Sequence, residues 1–269
     1  MIAMKDQILS KLAPGHPWGE LLQYYPQVDS TNTLAKKLAA TGAPHGTVII
    51  AGSQTGGRGR MGRSFHSPTG TGLYFSLILR PQCAPAELMP LTCAAGVALC
   101  QAVEDVTDCR PGIKWINDLV CGTRKVAGIL TEMSLCAATG LVDYAVVGIG
   151  VNCCQQRQDF PAELQTMAGS LLTETDVNVA PAYMAAALMN RLLQMDHVLL
   201  TDKAALMEQY RAQCITLGKE VSVLRAGTVR HGTALGLDTD GGLIVRFSDG
   251  STEIVNSGEA SVRGMYGYV

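Results

Sequence analysis

Three arginines, Arg58, Arg60 and Arg63, stand among Gly56, Gly57, Gly59 and Gly62 in the run QTGGRGRMGR, residues 54–63. A guanidinium offers forked donors that fit carboxylate and phosphate oxygens in pairs. Glycine lets the backbone take positive φ and approach a ligand closely. Three cations this close repel one another. The spacing therefore predicts a loop that is loose when empty and is ordered by an anionic ligand.

A second cluster pairs Lys114-Trp115-Ile116-Asn117-Asp118 with Arg124-Lys125-Val126-Ala127-Gly128-Ile129-Leu130. Two lysines and a carboxylate fall within a dozen residues, on what read as two paired strands. Such groups suit the activation of an acid by ATP. When a carboxylate attacks the α-phosphorus, negative charge gathers on the phosphate oxygens and on departing pyrophosphate. Fixed ammonium groups, with Mg²⁺, stabilise that charge. Asp118 could then hold the metal or accept a proton from an attacking amine.

Gly57-Arg58-Gly59-Arg60-Met61-Gly62 formally matches the dinucleotide pattern G-x-G-x-x-G. That pattern must open a helix whose N-terminus holds a pyrophosphate. Here it runs into Ser64-Phe65-His66-Ser67-Pro68-Thr69-Gly70, which is loop chemistry. A phosphate-binding G-x-x-x-x-G-K-[ST] is absent as well, so ATP would bind by another route. His66 has no serine or cysteine partner in reach of sequence and reads as a packing or surface residue.

The elements that must carry these groups follow from periodicity and punctuation. A short helix within residues 1–20 leads to a strand at 21–25. Asp29-Ser30-Thr31 supplies cap chemistry for a helix to about Ala40, stopped by Gly42. Strands are expected at 47–54, 73–79, 113–115, 119–121, 125–133 and 144–151, and helices at 88–106, 181–200 and 203–214. The methionines of the last two helices (Met184, Met189, Met195, Met207) read as core filler. From Gly218 onward, short strands alternate with turns such as Asp240-Gly241-Gly242 and Asp249-Gly250, the texture of a small antiparallel barrel. The chain thus divides into residues 1–217 and 218–269. It has an α/β (α+β) fold: a mixed β-sheet backed by helices, plus the small C-terminal unit.

Composition narrows the function classes. The 269 residues are 47% hydrophobic and 16% charged, with a formal net charge of −2. This suits a folded core, and it lacks the basic excess of a nucleic-acid binder. No signal-like N-terminus and no run of about 18 apolar residues is present, which points to a cytoplasmic protein with no membrane partner. The nine cysteines are odd in number and form no C-x-x-C pair. They read as small buried hydrophobes, with neither a disulfide framework nor a zinc site.

The ordered set Ser30-Thr31-Asn32, the 54–63 loop, Lys114-Trp115-x-Asn117-Asp118, Arg124-Lys125-x-Ala127-Gly128-Ile129-Leu130 and Gly148-x-Gly150-Val151-Asn152 resembles biotin protein ligases across residues 28–152. The C-terminal unit is similar to that family's SH3-like β-barrel. The resemblance implies a catalytic domain for biotin and ATP over residues 1–217. The implied reaction forms biotinyl-5′-AMP and then passes biotin to a lysine of a biotin carboxyl carrier protein. Ser30, Thr31 and Gln54 would bind the biotin head group, with Asn32 beside them. Arg58, Gly59 and Arg60 would order over biotin and adenylate. Lys125 would contact the biotin carboxylate and the activated phosphate, and Lys114 the ATP phosphates. Asp118 would serve Mg²⁺ or the incoming lysine, and Asn152 would lie near the nucleotide. The catalytic set is Lys125, Arg60 and Asp118.

Three positions depart from the family pattern: Ile116 replaces a usual proline, Met61 a frequent arginine and Phe65 a common tryptophan. Ile116 is expected to relax its turn while leaving Lys114 and Asp118 in place. Some relatives carry an N-terminal DNA-binding domain; with 29 residues before Ser30, a ligase that does not bind DNA is expected. The resemblance leaves a homodimer open. It also leaves lipoate or octanoate transfer, which shares the catalytic architecture, as the alternative reaction.

Overall fold

The computed structural model describes residues 4–225, 227–256 and 261–264. Within them a short helix α1 (Met4–Leu9) precedes strand β1 (Leu22–Tyr25), helix α2 (Thr31–Ala40) and strand β2 (Val48–Ala51). Strand β3 (Gly72–Leu79) and helix α3 (Leu91–Thr107) follow, then β4 (Gly112–Lys114), β5 (Asp118–Cys121), β6 (Arg124–Leu135) and β7 (Val142–Asn152). Helices α4 (Leu171–Thr175), α5 (Pro181–Leu199) and α6 (Lys203–Gln213) lead to β8 (Glu220–Arg225), β9 (Thr228–Leu237), β10 (Leu243–Phe247), β11 (Thr252–Val255) and β12 (Ser261–Gly264).

The first seven strands form one sheet in the order β1-β2-β3-β7-β6-β5-β4. The β1–β2 pair is parallel and the remaining pairs are antiparallel, so the sheet is mixed as expected. β3, beside the central β7, is buried along its whole length. Val48, Ile50, Phe75, Val147 and Ile149 point into the large core with α3 and α5, whereas Ile49, Ile78 and Val146 meet Ala35 and Ala39 of α2 on the other face. This alternation is the period-two signature of a sheet covered on both sides. By length and apolar composition the stretch 85–107 could cross a bilayer, but most of it is buried within the protein. It is the core helix, packed between the sheet and helices α5 and α6.

Some boundaries differ from the sequence reading. The helix expected from residue 88 starts at Leu91, after a separate turn at Pro85–Leu88. β2 stops at Ala51, and Gln54 instead makes an isolated bridge with Val28. At Ile116 the Trp115–Ile116 peptide is cis, and Lys114 and Asp118 stay in place as expected, paired in register.

Strands β8–β12 form a second, antiparallel sheet in the order β11-β10-β9-β8-β12. Its turn at residues 238–242 folds on itself, with Asp238 Oδ1 accepting from the amides of Asp240 (2.8 Å) and Gly242 (2.7 Å). Gly241, at φ +88°, carries this turn against Cys93 of α3 and Met207 of α6. A carboxylate that satisfies two amides of its own turn makes a rigid knob from a short loop.

Candidate active site

The α2 face of the sheet is only partly covered by α2. Beyond its N-terminus the facing positions are Ser76 on β3, Gly148 and Gly150 on β7, and Gly128 and Leu130 on β6, with Leu130 opposite Gly148 and Gly128 opposite Gly150. Glycine here keeps the floor low. A Cβ on Gly148 would run into the Asn32 side chain, and one on Gly150 would come 2.6 Å from the Phe65 ring. Over this floor lies a cavity of about 910 Å³. Every site residue expected from sequence lines it: Ser30, Thr31, Asn32, Gln54, Arg58, Gly59, Arg60, Lys114, Asp118, Lys125 and Asn152.

At one end is an amide-and-hydroxyl slot. Ser30 is the N-cap of α2, its oxygen accepting from the Thr33 amide at 3.5 Å. Gln54 Oε1 accepts from both the amide (2.8 Å) and the hydroxyl (3.1 Å) of Thr31, and its Nε2 donates to Ser67 Oγ at 2.9 Å. Asn32, which lines the cavity beside them, also makes three hydrogen bonds of its own. Its Nδ2 donates to Leu130 O (3.1 Å) and Glu132 Oε2 (3.0 Å), and its Oδ1 accepts from Ser76 Oγ (2.7 Å). It pins α2 to two strands, β6 and β3. Glu132 also accepts from Lys36 at 2.5 Å. Burial raises the Glu132 carboxyl, but the Lys36 and Asn32 bonds more than reverse this and leave it below the usual carboxylate range.

The arginine loop arches over the middle of the cavity. Gly59 N donates to Arg63 O (2.7 Å), Phe65 N to Gly57 O (2.9 Å), and Met61 adopts φ +54°. Behind it, Tyr74 Oη donates to Pro68 O at 2.8 Å and ties the loop's far end to β3. The Arg58 and Arg60 guanidiniums take separate partners. Arg58 reaches Thr33 Oγ1 at 3.5 Å, and Arg60 Nη1 donates to Asn117 Oδ1 at 2.9 Å. Burial pushes the Arg60 guanidinium below its ordinary pKa; Asp118 opposes this and Arg63 adds to it. A cation disfavoured in this way gains from an anion beside it.

At the other end, a register shift at Leu119/Val120 lets Lys125 of β6 reach Asp118 of β5, Nζ to Oδ1 at 2.6 Å. Bulges re-aim side chains in this manner. Residues 160–169 wall this side, with Phe160, Leu164, Met167 and Ala168 lining the cavity. Their backbone is stitched to Lys125, whose amide donates to Met167 O and whose carbonyl accepts from Gly169 N, both at 2.9 Å. Asn152 Nδ2 donates to Gly169 O at 2.8 Å and holds the same wall. Sequence reasoning missed this apolar wall, and it missed Asn117 as a contact of the loop. His66 packs beside Phe160 and meets Asp159 O at 3.1 Å, in line with a packing role.

The lining therefore carries five cations, Arg58, Arg60, Arg63, Lys114 and Lys125, and one carboxylate, Asp118, in a protein of net charge −2. So concentrated a positive field in a cleft gathers anions. With a neutral polar slot at one end and an apolar wall at the other, fold and site define a ligase that couples an organic acid to a nucleotide.

Comparison with known proteins agrees. Residues 24–152 match the biotin/lipoate A/B protein ligase family, and residues 216–263 match the biotin protein ligase C-terminal domain. The chain is 34% identical over 253 residues to the bifunctional ligase/repressor BirA of Bacillus subtilis, covering 89% of this chain and 73% of that protein. It is 34% identical over 230 residues to a biotin–[acetyl-CoA-carboxylase] ligase of Paracoccus denitrificans, covering 82% and 92%. Among solved structures, the Aquifex aeolicus biotin protein ligase in complex with biotin and ATP superposes with a TM-score of 0.76 at 29% identity, covering 90% of this chain and 98% of that one. The chain belongs to the biotin protein ligase family, an enzyme that activates biotin and transfers it to protein. The match to the C-terminal domain of biotin ligases weighs against the lipoate alternative.

Proposed function

We propose that the cavity holds biotin in the slot of Ser30, Thr31 and Gln54 and ATP between the arginine loop and the 160–169 wall. A ureido ring is uncharged and needs matched donors and acceptors, which this slot supplies. Ser30 Oγ accepts one long bond and keeps its hydrogen for the ureido oxygen. A biotin carboxylate oxygen then attacks the α-phosphorus. The new C–O–P anhydride forms as the bond to pyrophosphate breaks. Arg58, Arg60, Lys114 and Lys125 neutralise the charge that builds on the phosphate oxygens. Next, a neutral lysine amine of the carrier domain of a biotin-dependent carboxylase attacks the acyl carbon. AMP leaves, and Asp118 accepts the amine's proton.

Mg²⁺ fits this site as part of the nucleotide substrate. Among the described residues no cluster of three metal-ligating side chains occurs, and Asp118 is the one carboxylate lining the cavity. One carboxylate plus substrate phosphates is the ordinary way to bind Mg²⁺. The proposed division of labour gives chemistry to residues 1–217 and support to residues 218–269. We further propose a cytoplasmic ligase that does not bind DNA, on the strength of its free cysteines and its net charge of −2.

The observation that carries the reading is that five cations, with Lys125 paired to Asp118, line one cavity beside a neutral polar slot. ATP–pyrophosphate exchange tests it. Exchange should depend on biotin and be absent with lipoate or octanoate. Exchange with those acids and none with biotin would overturn it.

A further inference from the structure

We propose that Asn117 is a positioning residue that latches the arginine loop to the Asp118–Lys125 pair, an inference that rests on the ligase reading above. Asn117 lies in the turn between β4 and β5, half-buried. Its Oδ1 accepts from Arg60 Nη1 at 2.9 Å. Its Nδ2 donates both hydrogens, one to Asp118 Oδ1 and one to Ile129 O, each at 3.1 Å. Its backbone carbonyl accepts from the Ile129 amide at 2.9 Å. Both its side chain and its main chain are therefore anchored on β6.

The partners fix which end of the amide faces which way. A guanidinium can only donate, and a carbonyl or an ionised carboxylate can only accept. A flipped amide would set a donor against Arg60 and an acceptor against Asp118 and Ile129. Aspartate in this place would keep the bond to Arg60 but turn an oxygen on its two other partners. An apolar residue would keep neither. The pattern uses the one side chain that accepts from the loop while donating to the catalytic carboxylate.

Asp118 Oδ1 thus receives Asn117 Nδ2 and Lys125 Nζ (2.6 Å) together. Closure of the loop sets the Asn117 amide, and that amide helps set the carboxylate. The same contact that keeps the adenylate enclosed also readies the group that serves the incoming lysine. Lifting of the loop would release both.

Two measurements test the latch. The first is amide hydrogen exchange across residues 56–63 of the full-length chain without ligand, which does not depend on activity. Asn117→Ala should speed exchange there; unchanged exchange overturns the proposal even if the enzyme proves to be a biotin ligase. The second is the rate at which biotinyl-5′-AMP leaves the enzyme. Asn117→Ala and Arg60→Ala should each raise it by roughly 10- to 100-fold, the scale of one charge-assisted hydrogen bond. The double variant should be no faster than the faster single one. Effects that multiply overturn the latch. Asn117→Asp keeps the acceptor for Arg60 and carries the test if the alanine variant does not fold. It should retain adenylate to within about threefold of the unaltered chain while transferring it more slowly. Faster loss than that overturns the proposal. A chain that exchanges no pyrophosphate with biotin refutes the ligase reading, and the hydrogen-exchange result still decides on the contact.

Discussion

Trp115 Nε1 donates to Gly241 O at 2.9 Å, joining the strand turn that carries Lys114 to the knob of the C-terminal sheet. The same tryptophan's amide donates to Thr216 Oγ1 at 2.9 Å, and Tyr210 Oη donates to Ile116 O at 3.2 Å. The segment 114–117 is therefore held by α6, the connector and the second sheet. The C-terminal unit reaches the Lys114–Asp118 end of the cavity through this contact, and among the described residues it does not line the cavity itself.

Trp115→Phe should separate that support from the rest of the fold. It keeps an aromatic ring in the core but strips the buried Gly241 carbonyl of its donor, at a cost of about 1–3 kcal/mol. In a chain of this size the unfolding midpoint should fall by roughly 2–8 °C. The KM for ATP should rise more than the KM for biotin, because Lys114 is next in sequence and Ser30 is not. Equal changes in both constants would count against a selective role.

The two glycines of the floor should respond differently to alanine. Gly148 faces Asn32, which hydrogen bonds to β6 and β3 hold in place, so Gly148→Ala should destabilise the protein by ~2 kcal/mol or more in urea unfolding. Gly150 faces Phe65, an aromatic ring on a loop. Gly150→Ala should cost less stability, under ~1.5 kcal/mol, and show mainly as faster escape of adenylate.

These glycines also mark where sequence stops being readable. Strands β3 and β7 are legible as apolar runs and α2 by its Ser30 cap, since those signals are local. The Gly148-x-Gly150 motif is visible as a pattern, but its physical reason needs the register that places Leu130 and Gly128 opposite. The 160–169 wall was missed because its own residues carry no periodicity. It is ordered by pairing with Lys125 and Asn152, partners distant in sequence. Asn32 is placed beside the head-group residues by the motif, and its bonds to β6 and β3 become visible only in the fold. The contacts of Tyr210 and Thr216 with the Trp115–Ile116 turn come from another part of the chain and have no local signal.

Glu132 should make stability depend on acid. Its folded pKa is depressed through Lys36 and Asn32. Its ionised form thus adds stability that is fully present above the unfolded carboxyl value, about 4.3, and is lost as pH falls through the lower folded value. Glu132→Gln should flatten this acid limb of the unfolding midpoint. A limb as steep as that of the unaltered chain would assign the acid sensitivity elsewhere.

Lys125 and Arg60 should fail in opposite ways. Lys125 is anchored on β6 by its own backbone and presents its ammonium to Asp118 in the cavity. Lys125→Ala should cut adenylate formation by roughly 10²–10³-fold, the range for loss of one charge-stabilising donor. Arg60 stands on a loop, so Arg60→Ala should leave formation far less affected and weaken enclosure. Its adenylate should escape and label lysines of unrelated proteins. Radiolabelled biotin with ATP and a bystander protein such as albumin distinguishes them: little label of any kind from Lys125→Ala, abundant misplaced label from Arg60→Ala. Tight retention by the Arg60 variant would show that the loop closes without its guanidinium, and the lid would then owe its grip to Arg58 and Arg63.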